Sequence, residues 1–99
     1  MTNEKTLKNG ELTIALAGRL DTMTAPELEA ELGEALEGAE KVAFDLADLE
    51  YMSSAGLRIL LSTQKKMMAK GGSVVVRNAN ETITEIFEVT GFSDILTIE

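Results

Sequence analysis

The stretch DLADLEYMSSAGLR, residues 45–58, contains the change of pattern on which the fold turns. Before it, Val42, Phe44 and Leu46 recur at period two, as a strand with one face in a core requires. After it, Leu57, Leu60, Leu61, Gln64, Met67 and Met68 recur at helical spacing. The strand is therefore expected to end near Leu46, a short loop to follow, and a helix to begin on small residues around Ser53 and Ser54. A serine at a helix start accepts a bond from one of the backbone N–H groups that the first turn leaves free. The same N–H groups and the helix dipole favour a phosphate, so one position can serve as cap or as phosphoacceptor. Most such serines are caps, but here two stand where one suffices. Gly56 lies inside the first turn, where glycine costs about 1 kcal/mol relative to alanine. It implies a close approach, either of the helix to the sheet or of a partner's backbone or phosphate to the helix.

Upstream, Asn9-Gly10 between two short β-like runs is a two-residue hairpin signal, and the polar first strand belongs at a sheet edge. Leu12, Ile14 and Leu16 alternate with small or polar residues, and Gly18 is expected to end that strand. Arg19-Leu20-Asp21-Thr22 then reads as a loop. Thr24 with Glu27 has the spacing of a capping box, Met23 with Leu28 that of a hydrophobic staple, and Pro26 fits the first helical turn. Leu28, Leu32 and Leu36 share one face of this helix, while Glu27, Glu31 and Glu34 form a solvated acidic face.

Downstream, Lys65, Lys66 and Lys70 suit the negative end of the central helix, with Gly71-Gly72 beyond it. Ser73 to Arg77 is β-branched at its centre, as for a strand buried on both faces beneath helices. Asn80 is placed to cap a third helix, in which Ile83, Ile86 and Phe87 face inward and which Gly91 ends. A last short strand falls around Ile95 to Ile98. The alternation specifies an α/β fold: a mixed, mostly parallel sheet with crossover helices and an antiparallel N-terminal edge hairpin.

The 99 residues suffice for one core, and the chain is expected to form a single domain. There is no cysteine and no histidine, which removes disulfides, thiol catalysis and the usual zinc ligand sets. A net charge of −8 opposes binding to nucleic acid or to anionic membrane. The N-terminal residues lack the apolar run of a signal peptide, and a cytoplasmic location is expected.

The segment from Asp45 through Tyr51-Met52-Ser53-Ser54-Ala55-Gly56-Leu57-Arg58, with Gly18-Arg19-Leu20-Asp21 upstream, closely resembles the STAS domains of bacterial anti-sigma factor antagonists. The resemblance spans nearly the whole chain and implies the same fold. In that family the serine two residues before the glycine is phosphorylated by an anti-sigma factor that is also a serine kinase. This maps the acceptor to Ser54 and leaves Ser53 to help cap the helix. It also implies that Asp21, Thr22, Ser53, Ser54, Ala55, Gly56 and Arg58 meet the partner, and that a phosphatase resets the switch. Family members usually carry one more helix after the last strand, most of which residues 1–99 are expected to lack, leaving one sheet face less covered.

No P-loop, dinucleotide fingerprint or catalytic histidine supports an enzyme, and no cofactor is implied. Asp21, Asp45 and Asp48 are oxygen ligands in type, but aspartates at loop edges more often make turns, and no metal site is assigned. Two function classes remain. One is a phosphorylation-switched module that, unphosphorylated, binds the kinase and releases the sigma factor. The other is a constitutive STAS scaffold or subunit of a stress-signalling or lipid-transport complex.

Overall fold

The computed structural model describes residues 2–99. Thr2–Lys8 (β1) and Glu11–Leu20 (β2) form the expected antiparallel hairpin, with Lys8 opposite Glu11 and both turn residues, Asn9 and Gly10, at positive φ. There follow α1 (Ala25–Ala35), a 3-10 turn (Leu36–Gly38), β3 (Lys41–Met52), α2 (Ser54–Ala69), β4 (Ser73–Arg77), α3 (Glu81–Thr90), a second 3-10 turn (Phe92–Asp94) and β5 (Thr97–Ile98). The strands stand in the sheet in chain order, and every pair after the first is parallel.

Parallel neighbours require crossovers, which are right-handed almost without exception, and three that step in the same direction bring α1, α2 and α3 to one face. That face carries the core. Leu12 and Ile14, Val42 and Phe44, and Val74 and Val76 stand side by side in register and share one cluster with Leu28 and Leu32, Leu57 and Leu60, and Ile83 and Phe87. Truncating either buried phenylalanine to alanine would cost about 3–5 kcal/mol. Thr13, Ala43, Val75 and Thr97 align on the opposite face, where Arg77 bridges Glu11 at 3.2 Å and Glu99 at 2.9 Å. The expectation of helices over both faces of β4 therefore holds on one face only: Val75 is buried outside the helix-packed core.

Two expected strand ends are displaced. β2 does not stop at Gly18, nor β3 at Leu46; both continue past the last β3–β4 pair, Asp45 with Arg77, until Leu20 faces Met52. The pairing shifts between Ala15 and Ala17 and again between Gly18 and Arg19, each time with one extra residue on β3. Such bulges change which face the following side chains use. Leu46, Leu49 and Met52 are consequently all buried although they are three residues apart. Gly18 sits at the second shift with a φ of +92°, a conformation that a Cβ disfavours.

The start of α1 also differs. Thr24 stands at the expected position, but its hydroxyl turns back into the preceding loop and does not cap the helix. Met23 is 87% exposed and Glu27 is exposed, so neither the staple nor the capping box forms. Asn80 does cap α3, its side-chain oxygen accepting from the Ile83 N–H at 2.8 Å, and Gly91 ends that helix. Lys70 reaches a different helix end from the one expected, donating to the carbonyls of Leu36 and Glu37 at 2.9 and 3.1 Å. The last strand is shorter than expected, and Ile95 is exposed. Among the described residues no helix is long and apolar enough to cross a membrane.

Candidate functional site

The β2–β3 ribbon projects past the rest of the sheet and delivers two loops to one point. Leu20 pairs with Met52, and the Ser53 N–H donates to the Leu20 carbonyl at 2.9 Å. Asp21 follows one member of this junction and Ser54 the other.

The two serines differ in their bonding, and Ser53 caps the helix as expected. The Ser53 hydroxyl accepts from the Ala55 N–H at 3.2 Å, so Ser53 is the cap of α2. Ser54 is the first residue of the helix and is exposed, and its hydroxyl has no hydrogen-bond partner among the described residues. The N–H groups of Ser54 and Gly56 also lack an acceptor there, as expected of a first turn. An exposed hydroxyl thus sits in a field that favours an anion.

Gly56 explains itself by packing. A Cβ at this position would stand 2.7 Å from Met52 Cγ and 2.8 Å from Leu20 Cγ. The absence of a side chain lets α2 rest on the junction that positions Ser54. Gly56 is buried, so among the residues expected to meet a partner it faces the protein's own core.

Asp21 organises its own loop. Its Oδ1 accepts from the N–H of Met23 at 3.0 Å and of Thr24 at 3.2 Å, while its own N–H donates to the Thr24 hydroxyl at 2.9 Å and that hydroxyl donates to the Arg19 carbonyl at 3.0 Å. Desolvation works against the charge, but the N–H groups of Thr24 and Met23, the Thr24 hydroxyl and the Arg19 guanidinium outweigh it and hold the carboxyl below the ordinary aspartate value. Arg19 lies 3.9 Å from Asp21 Oδ2 and stacks over Tyr51, its strand neighbour, at 4.5 Å from the ring centre. This stacking was hidden from the sequence because the bulges set the pairing. Thr22 and Met23 project at the tip of the same loop, both exposed.

Of the three aspartates that are oxygen ligands in type, Asp45 lies away from Ser54. Asp45 pairs in register with Arg77, well before the ribbon's end, and its Oδ1 accepts from Ala47 N–H at 3.1 Å and Asn78 Nδ2 at 3.0 Å. Among the described residues Asp21, Asp45 and Asp48 form no group able to hold a metal ion.

From Thr22 and Ala55 a groove of about 620 Å³ runs between α1 and α2. Arg58 lies on its wall, one turn beyond Ser54.

A family model described as "Mlab, STAS domain" matches residues 4–97. The anti-sigma-B factor antagonist of Bacillus subtilis is 32% identical over 88 residues, covering 89% of this chain and 81% of that protein. Among solved structures, the anti-sigma factor antagonist SpoIIAA in its unphosphorylated form aligns with a TM-score of 0.87 at 18% identity, covering 99% of this chain and 88% of that one. The Bacillus cell fate determinant SpoIIAA in the phosphorylated form aligns with a TM-score of 0.78 at 18% identity, covering 99% and 91%.

Proposed function

Because the chain belongs to the STAS domain family, we propose that it is an anti-sigma factor antagonist whose binding is switched at Ser54. Unphosphorylated, it binds an anti-sigma factor that is also a serine kinase and so releases a sigma factor; phosphorylated on Ser54, it lets go, and a phosphatase restores it. Residues 1–99 act as a single binding domain, without catalysis of their own, in the cytoplasm where transcription takes place.

The observation that carries this reading is the division of labour at the start of α2: Ser53 holds the cap, and Ser54 is exposed with its hydroxyl unbonded. A constitutive scaffold has no need of that second serine. The helix N-terminus tolerates a phosphate, which brings about −1.5 to −2 charges, so the domain keeps its fold. A docked kinase does not tolerate it, because its own acidic catalytic groups must face the same hydroxyl. Thr22, Ala55 and Arg58, which line the groove beside the start of α2, form the contact surface, with Met23 next to Thr22 as an exposed apolar anchor. Asp21 shapes that surface by holding its loop.

Co-expression with candidate anti-sigma factor kinases of the same genome, followed by intact mass and phosphosite mapping, tests the assignment. One phosphate on Ser54, lost in Ser54→Ala and retained in Ser53→Ala, is expected. Stoichiometric phosphate on the Ser54→Ala protein would refute it.

A further inference from the structure

The chain has 17 acidic residues, yet none falls within the 16 residues of α2. Of its nine basic residues, four are engaged: Lys5 with Glu31, Arg19 with Asp21, Arg77 with Glu11 and Glu99, and Lys70 with two carbonyls. Lys8 and Lys41 stand elsewhere. The remaining three, Arg58, Lys65 and Lys66, all line the groove between α1 and α2 and have no ion-pair partner among the described residues. Pro26, Ile59 and Leu61 give the groove an apolar lining, and Glu29 is its one carboxylate. The helix dipole accounts for lysines near the C-terminus of α2 but opposes Arg58 in the first turns. A protein of net charge −8 thus keeps three unpaired cations beside apolar surface in one place.

We propose that this groove seats an acidic amphipathic helix of the partner protein, with carboxylates at positions seven or eight residues apart. This rests on the reading of the Ser54 end as a partner-binding site, which the groove adjoins. Arg58 and the lysine pair are separated by seven or eight residues of helix, about 10–12 Å at 1.5 Å per residue. A small anion does not span that distance, whereas two carboxylates two turns apart on a helix do, with apolar residues between them on Pro26, Ile59 and Leu61. A second copy of this chain is a poorer occupant. Its acidic helix α1 already buries Leu28 and Leu32 in its own core and has only polar side chains left on its Glu27, Glu31 and Glu34 face.

The test compares two variants of equal net charge: Lys65→Gln/Lys66→Gln, in the groove, and Lys8→Gln/Lys41→Gln, outside it. Each is titrated calorimetrically with the purified anti-sigma factor kinase at low and high salt, beside wild type and Ser54→Asp. The proposal expects the groove variant to bind at least tenfold more weakly than the control variant and with a flatter salt dependence, while Lys65→Arg/Lys66→Arg keeps wild-type affinity. Equal affinities of the two glutamine variants would overturn the groove, whatever Ser54→Asp does. Wild-type affinity of both Ser54→Asp and the true phosphoprotein, with weak binding by the groove variant, would overturn the switch and leave the groove standing. No binding by wild type would remove both. A wild-type homodimer lost only in the groove variant would make the occupant a second copy and refute the proposal. Melting curves check that the substitutions leave the fold intact.

Discussion

Replacing each of the two adjacent serines by alanine should give opposite results in two assays. The Ser53 hydroxyl accepts a 3.2 Å bond from the Ala55 N–H at a half-buried position, and its loss leaves that N–H without its cap. Loss of a serine cap costs about 0.5–2 kcal/mol, and for one bond of this length about 1 kcal/mol is expected. In a domain of this size that lowers the melting temperature by about 4–8 °C. Ser54 is exposed and its hydroxyl is unbonded, so Ser54→Ala should stay within about 0.5 kcal/mol of wild type. Thermal and urea unfolding followed by circular dichroism measure both. In the kinase assay the order reverses: Ser53→Ala is still phosphorylated, and Ser54→Ala is not. A Ser54→Ala protein destabilised by 1 kcal/mol or more, beside a neutral Ser53→Ala, would show that the roles have been assigned the wrong way round.

Gly56→Ala places a Cβ within 3.0 Å of Leu20 and Met52, both fully buried; overpacking of about 1–3 kcal/mol exceeds the gain of about 1 kcal/mol in helix propensity. A net loss is expected in urea unfolding, and a more stable variant would contradict the packing role. Asp21 has a lowered pKa, so its contribution to stability is present above the unfolded-state value and is lost as pH falls through the lower folded-state value. Its carboxyl resonance should titrate below 3.8, and Arg19→Gln, which removes the facing guanidinium, should move the midpoint upward; an unchanged midpoint would count against the loop geometry. Arg58, one helical turn after Ser54, should lower the second pKa of a phosphate there below its usual value of about 6. Arg58→Gln should raise it in a phosphorus NMR titration, and no change would place the guanidinium out of reach.

What the sequence revealed and what it hid divide along the range of the interactions. Asn9-Gly10, Asn80 and the Leu12, Ile14, Leu16 alternation act within a few residues, and each stands in the structure where its pattern put it. The ribbon was misread because its bulges arise from pairing between distant segments. Leu46, Leu49 and Met52 break period two while the strand continues, and a glycine in a bulge is indistinguishable in sequence from one that ends a strand. Thr24 matched a capping motif, yet the Asp21 N–H and the Arg19 carbonyl took its hydroxyl. The candidate site was legible in its parts, through two serines and a glycine. The cap at Ser53 stands where it was expected, whereas the packing of Gly56 against Leu20 needed the junction of β2 with β3.

The central claim is that a phosphate on Ser54 ends partner binding without remodelling the domain. Calorimetric titration of the anti-sigma factor kinase with the unmodified chain and with the purified Ser54 phosphoprotein, alongside amide spectra of both forms, tests it directly. The expected result is an affinity at least tenfold lower for the phosphoprotein, equivalent to about 1.4 kcal/mol, with amide shifts confined to the first turn of α2 and the Asp21–Thr24 loop. Equal affinities, or shifts spread throughout the sheet, would contradict it.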